Sequence, residues 1–177
     1  MDEETMRKML EEILELYSDP DVIDPPYMDK MHPLAEAQYM PAKHFFTECL
    51  DDTRKWWRYE CLTALGFHYD FSADEDIKQK LRDLLLHDDD DSTRHAAALA
   101  LGLYTVWPEQ ALLTALQTDP EHDVRIAAFY SLYGLAGLPR KQHLKTRNRL
   151  IDGEIEPTLE QLKAMLREHN IALDFPE

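Results

Sequence analysis

The stretch "DDDDSTRHAAALALG" (88–102) runs from four consecutive aspartates through Arg94 into a series of alanines and leucines. Alanine and leucine are among the strongest helix formers, and aspartate is favoured at the residue that caps a helix N terminus. The stretch therefore predicts a helix that begins beside the aspartates. The same order of residue types occurs twice more in the chain, once before it and once after it.

The three copies align on Arg58, Arg94 and Arg125, which are 36 and then 31 residues apart. Small residues follow at three and six positions after each arginine, and a leucine follows at seven. In chain order these are Cys61, Ala64 and Leu65; Ala97, Ala100 and Leu101; Ala128, Ser131 and Leu132. Apolar or small residues also stand thirteen and nine positions before each arginine: Phe45 and Cys49, Leu81 and Leu85, Leu112 and Leu116. One alignment therefore describes two helices in three copies, which is the signature of a stacked helical repeat.

The segments "HDDDDSTRHAAALALG" and "TDPEHDVRIAAFYSLYG" resemble HEAT-like repeats of the short bacterial, phycobilin-lyase type. The shared features are the acidic loop, the Thr-Arg or Val-Arg step, the alanines and the Leu-Gly ending. The resemblance covers residues 41–134, and it departs from the pattern in the first copy, "DDTRKWWRYECLTALG", which brings two tryptophans and an extra arginine. It implies an all-α fold, a HEAT-like α-solenoid of about four to five antiparallel helix pairs.

The chain is expected to form one HEAT-like repeat domain over residues 1–177. The N-terminal part, 1–40, is predicted to be a helix followed by a Pro/Asp-rich connector at 19–33. Three repeats are expected over 41–134, and capping helices over 135–177. Within these, Ser72 and Glu75 have the spacing of a capping box, a helix is expected after Pro108, and a last helix over residues 158–169.

The four aspartates have two interpretations. In the first, they cap the next helix, and the following arginine pairs with an aspartate of an adjacent loop, as the family's stacked Asp–Arg ladder implies. In the second, they hold a divalent cation together with His87 or Asp91. Consecutive residues cannot all converge on one ion, so the sequence favours the structural interpretation and predicts no metal site.

Composition and charge narrow the function classes. The net charge of −16 disfavours binding to nucleic acid and favours a basic protein partner. No apolar run is long enough to span a membrane, and no leader pattern opens the chain, so a soluble, cytoplasmic protein is expected. Cys49 and Cys61 fall at small core positions and are predicted to be buried free thiols. No metal-ligand pair, phosphate loop or nucleophile motif is present, so no cofactor and no catalytic activity are expected.

The predicted working surface lies on the second helix of each repeat, where three positions per copy point away from the core. The predicted partner-binding residues are Trp56, Tyr59, His95, Leu99, Ile126 and Tyr130, and the predicted acidic rim is Asp88, Asp89, Asp90, Asp91 and Asp123. Large aromatic groups of this kind anchor protein interfaces. The alternative is that Trp56 and Tyr130 pack against the N-terminal connector or a terminal helix.

One basic segment, "LPRKQHLKTRNR" (138–149), carries five cations and no acid. It either touches an acidic partner or a phosphate backbone, or it is a solvated helix that balances the acidic caps.

The predicted function is a non-catalytic, protein-binding module or scaffold. One version is a stoichiometric inhibitor of the immunity-protein type, which neutralises a basic partner through its concave face. The alternative that the resemblance leaves open is an enzyme or enzyme subunit, like a bilin lyase or a DNA glycosylase. The sequence does not name the partner, and a small-molecule ligand stays undetermined.

Overall fold

A computed structural model describes residues 1–175 and is helical throughout, with no strand in that range. The elements are α1 (Glu3–Ser18), a π-helical turn (Tyr27–Met31), α2 (His32–Glu36), α3 (Met40–Cys49), α4 (Lys55–His68), α5 (Glu75–His87), α6 (Asp91–Tyr104), α7 (Gln110–Thr118), α8 (His122–Leu135), α9 (Arg140–Ile151) and α10 (Leu159–Glu168). The all-α fold class is confirmed. The described residues group into two compact units, unit 1 (Met1–Asp70) and unit 2, which begins at Phe71. The single domain over 1–177 stays a prediction.

Unit 2 shows how two repeats stack. The helices pair as α5 with α6 and α7 with α8, while α5 also contacts α7 and α6 contacts α8. The first helices therefore form one layer and the second helices another, as expected of a helical-hairpin repeat. The closest approach lies in the second layer, where a Cβ added at Gly102 would stand 2.5 Å from the Ser131 Cβ. The hydroxyl of Ser131 donates to the Ala98 carbonyl at 2.9 Å, so the small residues do bring α6 and α8 together.

The repeat register is confirmed by burial. Leu65, Leu101 and Leu132 are each fully buried. The small and apolar positions that the alignment links to them are also buried: Phe45, Cys49, Cys61, Ala64, Leu81, Leu85, Ala97, Ala100, Leu112, Leu116, Ala128 and Ser131. Cys49 and Cys61 are free thiols in the interior, as expected, and burial raises the pKa of Cys61.

The acidic loops have one internal geometry in all three copies. The residue six positions before each arginine is an aspartate: Asp52, Asp88 and Asp119. Each carboxylate accepts the backbone N–H two residues on, at 2.6, 2.9 and 2.9 Å, which is an Asx turn. Each backbone carbonyl accepts the guanidinium of its own repeat's arginine, at 2.8, 3.0 and 2.7 Å. The loops are thus held by their own repeats.

Two further contacts link the repeats of unit 2. Arg94 of α6 forms a bidentate pair with Asp119, the turn aspartate of the next loop, at 2.8 and 3.1 Å. This is the Asp–Arg ladder that the resemblance implied. In the first layer, Arg82 of α5 pairs with Glu109, the residue that caps α7.

Three local expectations are wrong, and each has a physical reason. The start of α5 is capped by Asp74, which accepts the Ile77 N–H at 3.2 Å, so Ser72 and Glu75 do not form a capping box. The segment 19–33 is not only a connector, because it contains the π-helical turn and the first residues of α2. Pro33 lies in the first turn of α2, where its missing N–H costs nothing. Asp90 does not lie on an acidic rim, because it caps α6 and is 8% exposed.

Candidate functional site

In unit 2, the predicted surface residues converge on one cavity of about 280 Å³. His95 and Leu99 come from α6, Ile126 and Tyr130 from α8, and the cavity is also lined by Asp123, Ala127, Arg147 and Ile151. The convergence follows from the repeat register, since equivalent positions of stacked second helices lie side by side. Four of the six predicted partner-binding residues therefore share one site.

The lining of this cavity is mainly apolar, and His95, Asp123 and Arg147 supply polar groups to it. Ile126 is 9% exposed, so it forms part of the wall and not the open surface that the sequence predicted. Burial lowers the pKa of His95; the Asp123 carboxylate opposes this shift and the Arg147 guanidinium adds to it. His95 is thus a neutral imidazole near pH 7, able to donate through one ring nitrogen and accept through the other.

Tyr130 is covered by α9, the helix formed by the basic segment. Its ring stacks on the imidazole of His143 with centroids 3.7 Å apart and planes at 14°. The His143 Nε2 also lies 2.8 Å from the Tyr130 carbonyl, to which it donates. A terminal helix therefore packs on Tyr130, as the alternative interpretation held, and α9 brings Arg147 and Ile151 to the cavity.

The loop aspartates divide into two groups. Asp88 and Asp90 serve the local structure, one through its Asx turn and the other as the cap of α6. Asp89, Asp91 and Asp123 are exposed, so the acidic rim is smaller than predicted. Among residues 1–175, no three His, Cys, Asp or Glu side chains are placed to hold a metal ion.

In unit 1, the two adjacent tryptophans have opposite environments. Trp57 is fully buried, and its indole N–H donates to the Val22 carbonyl of the connector at 2.8 Å. Arg54 donates to the carbonyls of Tyr17, Asp19 and Val22 beside it. Trp57 and Arg54 therefore hold the connector.

Trp56 remains 39% exposed. It meets Tyr59 edge to face at 6.4 Å, and the Lys55 ammonium lies 4.8 Å from its ring centroid. Trp56 and Tyr59 thus form a small aromatic patch on α4.

Around the cavity of unit 2, the sequence did not single out His143 or Ile151, and it indicated Arg147 only as one of the five cations of the basic segment. All lie in the basic segment or directly after it, and the only available signal was the spacing of His143, Thr146 and Leu150 on one helix face. A larger cavity of about 510 Å³ lies along α10 and the residues after it, and contains none of the predicted residues.

None of the described helices combines the length with the hydropathy that a membrane crossing requires. A search of curated proteins and a search of solved structures return no significant match. The family model for HEAT repeats matches residues 42–133, more than half of the chain and nearly the range over which the repeat alignment holds. This match, the two-layer stacking in unit 2 and the shared loop geometry agree, and the chain belongs to the HEAT repeat family.

Proposed function

We propose that this protein is a non-catalytic protein-binding module, and that the second-helix face of unit 2 holds its partner. HEAT repeats generally mediate protein interaction and are typically non-catalytic. The observation that carries the proposal is the convergence of His95, Leu99, Ile126 and Tyr130 on one cavity. Concave sites with a mainly apolar lining and a small number of polar groups are the usual form of a binding site.

The size of the cavity favours a side chain of a partner over a large cofactor. At about 280 Å³ it falls just below the range of about 300–1,000 Å³ typical of pockets for drug-sized ligands. A tetrapyrrole, as a bilin-lyase-like role requires, is larger than such ligands. A DNA-glycosylase-like role would need cationic phosphate contacts, and the chain has 35 acidic residues against 19 basic ones.

The charge of the chain supports a basic partner. Asp91 and Asp123 are exposed beside the cavity, and a net charge of −16 attracts cationic surfaces over long distances. The Trp56–Tyr59 patch of unit 1 is a separate candidate anchor for a protein partner. A stoichiometric inhibitor that neutralises a basic protein, in the manner of an immunity protein, is the specific role that we propose.

The proposal is tested by photo-crosslinking in the native cell. A photoreactive residue at Leu99, in the cavity, should capture one protein in a one-to-one complex, and that protein should be basic. The same residue at Gln117, which is exposed on the first-helix α7, is the matched control and should capture nothing specific. Capture from Gln117 without capture from Leu99 would place the working surface on the first helices.

With the captured protein in hand, Leu99→Ala and Trp56→Ala should each weaken binding by about 1–4 kcal/mol, as truncation of an interface anchor does. The measurement is titration calorimetry, with Leu103→Ala, an exposed leucine of the same helix, as the control. Inhibition is examined separately, by measuring the partner's own activity with and without an equimolar amount of this chain. An unchanged activity would leave binding intact and reject the inhibitor role.

A further inference from the structure

Helix α9 differs chemically from the rest of the chain. Its segment carries five cations and no acid, whereas the whole chain has a net charge of −16. Of the α9 side chains that the structure describes, only Thr146 and Leu150 are buried. Leu144 and Ile151, both large and apolar, are 49% and 55% exposed. α9 is thus a basic helix with a narrow apolar contact to its neighbours.

One histidine of α9 makes both a ring stack and a hydrogen bond with α8. His143 stacks on Tyr130 and donates to the Tyr130 carbonyl at 2.8 Å. It also lies against Gly134, where an added Cβ would be 2.7 Å from the imidazole Cε1. Because only a hydrogen occupies that position, the imidazole can reach the α8 backbone. Gly134 and Tyr130 together form a surface on which an aromatic ring can pack.

One buried polar atom of α9 lacks a partner in the part of the chain that the structure describes. The Oε1 atom of Gln142 is buried without a hydrogen-bond partner among the described residues, which is costly for a polar group. Lys141, Lys145 and Arg147 are exposed to solvent and add no buried surface to the contact. The link between α8 and α9 is short, and Gly137 within it has a φ of 81°, in the left-handed region that favours glycine. The small number of buried α9 side chains and the unsatisfied Gln142 oxygen are typical of an element that opens at a low cost in free energy.

We infer that α9 occupies the partner's place: the ligand of the second-helix face is a basic helical segment with a ring that stacks on Tyr130, and it binds by displacing α9. This inference rests on the proposed function and gives the partner a chemistry. The chemistry of the partner segment is inferred from α9, which is basic and helical and supplies Arg147 and Ile151 to the cavity. A segment that displaces α9 takes the place of these two side chains, while the α6 and α8 side chains of the cavity remain. A partner segment with a ring in the place of His143 and more cations than α9 would compete with α9. The carboxylates of Asp91 and Asp123 would attract those cations.

Competition between α9 and an added helix affects the measured affinity of that helix. When a site is open for only a fraction of the time, the apparent dissociation constant of its ligand equals the intrinsic constant divided by that fraction. Loosening α9 within the chain should therefore tighten binding of a basic helix added from outside. The increase in affinity measures how strongly α9 competes with the added helix for the site.

The experiment uses the full chain and a labelled peptide of residues 138–151, LPRKQHLKTRNRLI. In the H143A variant, α9 loses its stack and hydrogen bond, while Gly134 and Tyr130 remain. We expect the peptide to bind H143A at least tenfold more tightly than the unmodified chain in fluorescence anisotropy, and to weaken with added salt. Hydrogen exchange of the α9 amides should accelerate at least tenfold in the same variant.

Two variants serve as controls. G134A should also release α9, because the new Cβ meets the imidazole, but it should refuse the peptide for the same reason. L144A changes an exposed leucine of α9 and should behave as the unmodified chain. A peptide with alanine in place of His143 should bind none of the four proteins. Comparison of H143A with G134A distinguishes a binding site that has become accessible from a general loss of structure. Only H143A should bind the peptide, although α9 is released in both variants.

Equal affinity of the peptide for H143A and for the unmodified chain would overturn the inference, as would no binding to H143A. Unchanged exchange of α9 in both H143A and G134A would also overturn it, since α9 would then be a permanent part of the fold. The crosslinking experiment is independent of this result. A peptide that binds H143A while Leu99 captures no partner would reject the proposed function and leave the displaceable helix standing.

Discussion

Leu101 on α6 is fully buried at the position that the repeat reserves for leucine. Leu101→Ala should lower the free energy of unfolding by about 2–5 kcal/mol, because it removes buried methyl groups and leaves a cavity. Urea denaturation followed by circular dichroism measures the loss. Leu103→Ala is the matched control, since Leu103 is 58% exposed on the same helix and its loss should have little effect. Equal destabilisation by the two variants would contradict the assigned register.

His143 gives unit 2 a pH dependence of predictable sign. Burial lowers the pKa of His143 below its ordinary value of 6.5, and the hydrogen bond to the Tyr130 carbonyl opposes this only in part. The packed state thus binds fewer protons than the unpacked state between the lowered pKa and 6.5, so stability rises with pH there. His143 should contribute its full stabilisation above pH 6.5 and lose it as the pH falls below that value.

The measurement compares the unmodified chain with His143→Gln by thermal unfolding across this pH range. The difference in stability between the two should shrink on acidification. A difference that stays constant, or one that grows as the pH falls, would show that the imidazole does not pack as a neutral group.

The residue scale also shows where sequence reasoning ends. The repeat alignment predicted which leucines and small residues are buried, because the same periodicity occurs three times. It placed Trp56 away from the core but left open whether the connector covers it, since adjacent helix positions differ by only 100° and the connector lies over Trp57 instead. Arg54 and Trp57 hold the connector through carbonyl groups, which any sequence presents.

At the scale of the elements, Asp119 connects two repeats. Its carboxylate accepts both the Arg94 guanidinium and the Glu121 N–H. The side chains of Arg94 and Asp119 are 10% and 5% exposed, so the pair is largely shielded from water. Asp119→Ala should destabilise the protein by about 3–5 kcal/mol, because it leaves a buried guanidinium without its counter-ion.

Asp123→Ala is the comparison, as the Asp123 side chain is 89% exposed and belongs to the next helix. Thermal unfolding of the two variants should give a large loss for Asp119 and almost none for Asp123. Comparable losses would mean that the pair does not join the repeats. The resemblance had implied this pairing, whereas nothing in the spacing indicated the second pair between Arg82 and Glu109.

On the scale of the whole molecule, the sequence predicted the repeats well and their flanks poorly. Equivalent positions of the repeats have similar surroundings, so the three copies give three observations of the residue type that each position requires. The segments before residue 41 and after residue 134 occur once, and their contacts depend on packing that no periodicity encodes. The position of α9 on Tyr130 is the main example, and it changed the candidate site from an open surface to a partly covered cavity.

The loop geometry has a consequence for how such a chain can grow or be rebuilt. Asp52, Asp88 and Asp119 each shape their own loop, and each carbonyl receives an arginine from its own copy. A segment of 31–36 residues therefore forms the hydrogen bonds within its own loop, and Asp119 pairs in addition with Arg94 of the segment before it. Duplicating or deleting one such cassette, meaning one repeat segment, in the gene would keep the hydrogen bonds within every loop. The condition is that the aspartate and the arginine six residues later stay in the same segment. Lengthening of the chain by whole cassettes is thus an accessible evolutionary step, and a practical one for protein engineering.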